Sequence, residues 1–156
     1  VELGMSQESI IHCNSSVREI KFKAWNPQNQ EMYSPYCIDL MIHLNGVFQS
    51  LDDKGLIKGT INTPQLELLQ YTELKDISGK EIYDKDIILR KDTKLNSKYI
   101  GVITFGVYGE EHSENHLGFY VNWITKCAKD FRKDLTYWNK KVKVIGNIYQ
   151  NKKLLF

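Results

Sequence analysis

The 156-residue chain carries only three cysteines, Cys13, Cys37 and Cys127, widely spaced and with no C-x-x-C pair. An odd number at such spacings excludes a disulfide framework and a zinc ribbon, leaving reduced, structural thiols. Long apolar runs are missing as well. No stretch approaches the roughly 20 residues a membrane helix needs, and the opening VELGMSQESIIHCNSSV has no basic start followed by an apolar block. The expectation is a cytoplasmic protein with no membrane partner. Neither G-x-x-x-x-G-K-[ST] nor G-x-S-x-G occurs, and the glycines of ITFGVYG precede no helix, so nucleotide loops and nucleophile elbows are not indicated. An excess of one charge is also lacking, since the net is +2. The field of the whole molecule therefore exerts no strong pull on a polyanion.

Aromatic residues, by contrast, are plentiful: nine Tyr, six Phe and three Trp. Such rings suit half-buried strand faces and argue against an all-helical fold. The length suits one domain, or a domain with a smaller subdomain, able to bury a core without metal or disulfide help.

Residues 1–16 are polar and Ser-rich without a helix or strand period, and are expected to form a flexible extension. In REIKFKAW, residues Ile20, Phe22 and Ala24 alternate with Lys21, Lys23 and Trp25, the pattern of a strand with one buried face. NPQNQ is a turn by composition, after which Met32 and Tyr33 return as a partner strand. MIHL-NG-VFQSL places Asn45-Gly46 between two apolar strands, the residue pair that best tolerates a type I′ hairpin turn. Thr63-Pro64 reads as a helix cap followed by proline at the first helical position, predicting a short helix over Pro64 to Gln70 with Leu66 and Leu69 facing inward.

Four further strands are predicted: DIILR from Asp86, YIGVITFGVY from Tyr99, LGFYVNWI from Leu117 and KVKVIGNIY from Lys141. Gly106 and Gly146 lie inside strands, as bulges or the coiling of a small barrel require. Ala128, Phe131 and Leu135 have helical spacing and predict a second short helix. The fold class is α+β, mainly β: an N-terminal β-hairpin region over 17–62, then a short helix and a C-terminal small SH3-like β barrel over 63–156.

QYTELKDISGKEIYDKDI, residues 70–87, concentrates five carboxylates. Asp84 and Asp86 would share one face of an extended chain, a geometry open to a divalent cation or to acid/base work. No histidine stands near, and Gly79 comes too early for an EF-hand loop, so the stretch reads as a turn whose aspartates bond their own backbone.

Three segments in order, REIKFKAWN, QYTELKDISGKEIYDKDII and VIGNIYQNKKLL, resemble the YopX family of bacteriophage and prophage proteins. The family's central pattern runs approximately Q-[YF]-T-G-L-x-D-x-x-G-x-x-I-Y-E-G-D-I. It is matched by Gln70, Tyr71, Thr72, Leu74, Asp76, Gly79, Ile82, Tyr83, Asp86 and Ile87. Gly101-Val102 and Gly118-Phe119 resemble its middle strands, so the likeness spans about Val17 to Leu155. It implies a phage-encoded protein of the bacterial cytoplasm, a mainly β fold with a barrel-like C-terminal half, and no catalytic residues. Glu73 and Lys85 stand where the pattern has glycine. Val17 stands where family members tend to begin with Met, which makes residues 1–16 an extension outside the common domain.

In GEEHSENHL, His112 and His116 are four apart with glutamates alongside, but Glu114 has the wrong offset for H-E-x-x-H, and the segment reads as a solvated loop. No metal or cofactor is expected. Charge is more informative. From Val121 to Phe156 nine Lys/Arg face two Asp, a surplus of +7 that leaves −5 for the rest. Lys126, Lys129, Arg132, Lys133, Lys140, Lys141 and Lys143 are interleaved with rings including Trp138, the composition of grooves that hold single-stranded nucleic acid. The sequence therefore reads as a phage-encoded, non-enzymatic accessory protein that binds nucleic acid or a phage or host protein. A protein-interaction or self-assembly module without nucleic acid comes second and a metal-dependent enzyme third. Barrel edges and opposed charged regions make homo-oligomerisation an expectation.

Overall fold

The structure, a computed structural model, describes residues 19–34, 40–42, 48–51, 54, 57–61, 66–109, 114–128 and 131–156. The 1–16 extension, the Asn45-Gly46 turn and Lys129 lie outside them. Within them the fold is α+β and mainly β, as expected. Eleven strands form β1 (Phe22–Asn26), β2 (Glu31–Tyr33), β3 (Leu40–Ile42), β4 (Phe48–Leu51), β5 (Ile57–Ile61), β6 (Glu67–Lys75), β7 (Glu81–Tyr83), β8 (Asp86–Asp92), β9 (Ser97–Tyr108), β10 (His116–Trp123) and β11 (Lys143–Asn147). One helical turn, α1 (Leu135–Trp138), follows β10, with 3-10 turns at Lys126–Ala128, Asn139–Lys141 and Lys152–Leu155. No helix among the described residues is long and apolar enough to cross a membrane.

The strands form three antiparallel sheets, ordered β2-β1-β6-β7, β10-β9-β8-β11 and β3-β4-β5. β1 forms over Phe22–Asn26, with Phe22 opposite Gln70 and Ala24 opposite Leu68, but Ile20, expected on its buried face, precedes the strand and is 68% exposed. The second face of β1 is covered too. Trp25, placed on the solvent face by the alternation, is buried and stacks on Tyr149 at 5.4 Å. Period-2 alternation says which residues share a face, not whether the other face acquires a cover.

The helix predicted over Pro64 to Gln70 is not present in its described part: Leu66 is in coil and Glu67–Gln70 opens β6. Pairing with β1 satisfies the β6 backbone and buries Leu69, so tertiary pairing overrides the Thr-Pro start signal. β3 and β4 pair as expected, but Ile42 faces Phe48, whereas an uninterrupted two-residue turn at Asn45-Gly46 would set it opposite Gln49. The second predicted helix shortens to α1, capped by Asp134, whose side chain accepts from the Thr136 N–H. Ala128, Phe131 and Leu135 nevertheless all reach the core.

The second sheet curls into a half-barrel around Ile82, Ile88, Tyr99, Ile103, Val121, Trp123, Leu135 and Trp138. A bulge between Val144 and Gly146 sharpens the curl of β11. Gly146 is required there, because a Cβ would collide with the Asn151 side chain. A smaller core of Trp25, Leu69, Tyr71 and Tyr83 lies under the first sheet.

Candidate nucleic-acid interface

The acidic stretch resolves into structural contacts. Asp76 is buried, and its Oδ1 accepts from the Ser78 N–H, the Ser78 hydroxyl and the Lys80 N–H, while Oδ2 accepts from the Val144 N–H at 2.8 Å. One carboxylate thus closes the β6–β7 turn, in which Gly79 takes φ 84°, and ties it to β11. Burial alone would push this carboxyl up, but the donors from Ser78, Val144 and Lys80 outweigh it and hold the group below its usual range. The Thr72 hydroxyl donates to the Ile82 carbonyl, Tyr71 stacks obliquely on Tyr83 at 5.4 Å, and the Tyr83 hydroxyl donates to Glu81. Gln70 accepts from the Asp84 N–H through its carbonyl. Leu74 packs on the main core, to which Ile82 belongs, and Ile87 is fully buried.

Asp86 differs from Asp76. It is 3% exposed and its Oδ2 accepts from the Tyr83 N–H. Burial outweighs that bond and the attraction of Lys23, pushing its carboxyl up to about 6. Burial likewise lowers the Lys23 ammonium, which lies 3.9 Å from the Tyr83 ring centroid. The Asp84/Asp86 pair is therefore one partly exposed and one buried carboxyl, not a shared acid/base face. Among the described residues no group of three His, Cys, Asp or Glu could hold a metal. His112 lies outside them.

The basic residues fall into two groups. Arg132 pairs with Asp134 and lies 5.1 Å from the Tyr137 ring centroid, and the Lys141 ammonium lies 3.3 Å from the same centroid. Lys126 and Lys140 are exposed, whereas Lys133 is half-buried, its carbonyl accepting from the Val121 N–H. Trp138, expected to stack on bases, is only 5% exposed. Its ring packs on Trp123 and Phe131 while its indole N–H donates to the Arg132 carbonyl, so its faces serve the core.

The second group lies on the outer face of the curled sheet. Lys91 on β8 faces Lys98 on β9, and Lys143 on β11 faces Leu89, two residues from Lys91. A cross-strand pair places Cβ atoms about 5 Å apart and a diagonal pair about 7–8 Å, so Lys98 and Lys143 flank Lys91 on one face of the sheet. All three lysines are exposed, and Leu89 and Ile100 fill the face between them. None of the three makes an ion pair among the described residues. Arg90, on the inner face of β8, and Lys141 lie 4.9 and 5.6 Å from the Trp138 ring centroid.

Residues 21–156 match the family described as YopX protein. The chain belongs to the YopX family. Two crystal structures share the fold: YopX from Bacillus subtilis (TM-score 0.58, 21% identity, 87% of this chain and 98% of that one) and protein EF1440 from Enterococcus faecalis (TM-score 0.56, 20% identity, 88% and 99%). No curated protein matches.

In this YopX-family chain, Glu73 and Lys85 hold φ at 66° and 64°, the left-handed conformation that favours the glycines of the family pattern. Ordinary residues hold these turns here. Lys91 and Lys98 escape a reading based on charge asymmetry because they precede Val121. The signal that marks them is KDTKLNSK, where the lysines stand one residue outside a four-residue turn and so face each other across the hairpin.

Proposed function

We propose that this YopX-family chain is a phage-encoded, non-enzymatic accessory protein of the bacterial cytoplasm that binds nucleic acid through the outer face of its curled, SH3-like sheet. The observation that carries the reading is the Lys91–Lys98 pair with Lys143 beside it. Like charges directly opposite one another destabilise a sheet, and nothing among the described residues on that face neutralises them. A phosphate backbone supplies the missing charge and releases its counterions on binding. Lys126, Arg132, Lys140 and Lys141 form a second exposed basic group. Fluorescence anisotropy with labelled DNA at low salt tests the proposal. Binding that weakens steeply with salt and falls in a Lys91→Gln/Lys98→Gln/Lys143→Gln variant is expected; no binding at low salt would overturn it.

A second reading, self-assembly, is favoured by the end of the β9–β10 hairpin. β8 pairs with β9 only as far as Val102, and beyond it Phe105, Val107 and Leu117 are 52%, 65% and 71% exposed on one face with Phe119. An apolar face of this kind marks an interaction surface. Light scattering across a concentration series checks it: a dimer dissociated by Phe105→Ser/Leu117→Ser supports self-assembly, and a monomer at every concentration removes it.

A further inference from the structure

Resting on the nucleic-acid reading above, the geometry points to duplex nucleic acid, held by its phosphates, rather than to a single strand held by stacked bases. Single-strand grooves combine cations with open aromatic faces. Here the residues between the three lysines are aliphatic, Leu89 and Ile100, and the neighbouring edge residue on β10's side is Ile124. The exposed ring nearest the other basic group, Tyr137, already has Lys141 and Arg132 against it and the Trp138 ring at 4.8 Å. A base would have to displace those cations to stack. Trp138 and Phe131, the other rings of that segment, are turned into the core and hold the Arg90 guanidinium 4.9 and 5.0 Å from their centroids.

What the face does provide is charge density. Lys91, with Lys98 directly opposite and Lys143 diagonally beside it at Cβ spacings of about 5 and 7–8 Å, meets more phosphates with its two neighbours on a duplex, which carries one charge per roughly 1.7 Å of axis, than on a single strand. Lysines set against phosphates position a protein without specifying bases, which makes the contact independent of sequence.

The test titrates the full chain into a labelled duplex and into each of its separated strands, at about 50 and 200 mM salt. The duplex is expected to bind about tenfold tighter and to lose roughly 40-fold in affinity between the two salts, as about three neutralised phosphates require. The Lys91→Gln/Lys98→Gln/Lys143→Gln variant, its thermal midpoint checked for intact folding, is expected to lose the duplex preference. A single strand bound as tightly as the duplex overturns the duplex assignment, and a duplex preference surviving in the folded variant overturns its placement on the lysine face, while nucleic-acid binding stands. Failure to bind either form at low salt overturns both.

Discussion

The acidic motif at residues 70–87 and the basic face of the curled sheet are both dense in charge, yet they use it in opposite ways. Asp76 spends its lone pairs on four protein donors, and Glu81 accepts from both Lys21, at 2.6 Å, and Tyr83. Lys91, Lys98 and Lys143 are exposed and form no ion pair among the described residues. Charged groups satisfied inside the fold are part of its structure, because breaking their bonds leaves buried polar atoms without partners. Charges that oppose one another in the open weaken the fold slightly and are available to something outside it.

The comparison breaks most readily at Asp76. Asp76→Ala leaves the Val144 N–H and the turn N–H groups without their acceptor, and a loss of about 3 kcal/mol in urea denaturation is expected. A loss below about 1 kcal/mol would mean that the turn holds without its carboxylate.

Asp86 comes next, with the opposite sign. Its folded pKa of about 6 lies above the unfolded value near 4. The folded chain therefore keeps a proton that the unfolded chain releases. This contribution to stability is fully present below about pH 4 and is lost as pH rises through about 6. Asp86→Asn removes the penalty while keeping an acceptor for the Tyr83 N–H. It is expected to raise stability by about 2 kcal/mol at neutral pH and to flatten the pH profile between 4 and 6. An unchanged profile would place the titration elsewhere.

Smaller effects belong to the two left-handed residues. Glu73→Gly and Lys85→Gly relieve φ values of 66° and 64°, and each is expected to stabilise by about 1 kcal/mol or less. Lys85→Gly also gives up the 3.3 Å pair with Asp84. Destabilisation by both would show that their side chains contribute more than the strain costs. Smallest of all, Lys91→Gln in the free protein is expected to raise stability by about 0.5 kcal/mol or less while weakening DNA binding. That opposition of signs is the mark of a residue kept for a partner rather than for the fold.

Several of the strands were legible in the sequence. The alternation of REIKFKAW, the glycine-marked strands from Asp86 onward and the family pattern around Asp76 each describe local chain, and each appears as a strand or turn. The segment after Pro64 was misread because a cap and a proline signal local preference only, and pairing with β1 outweighs it. Trp138 was misread for a related reason. Its neighbours in the chain are basic and exposed, but its neighbours in space are Trp123, Phe131 and Arg90.

The sequence by itself determined the alternating strands, the turn chemistry of Asp76 and Gly79, and the family, because these depend on residues a few positions apart. Only the tertiary structure decided that Asp86 is buried, that Trp138 belongs to the core, and that Lys143 comes to rest beside Lys91 and Lys98. The reason is that strand register and sheet curl bring together residues about 50 positions apart, and no local spacing encodes which faces they will share.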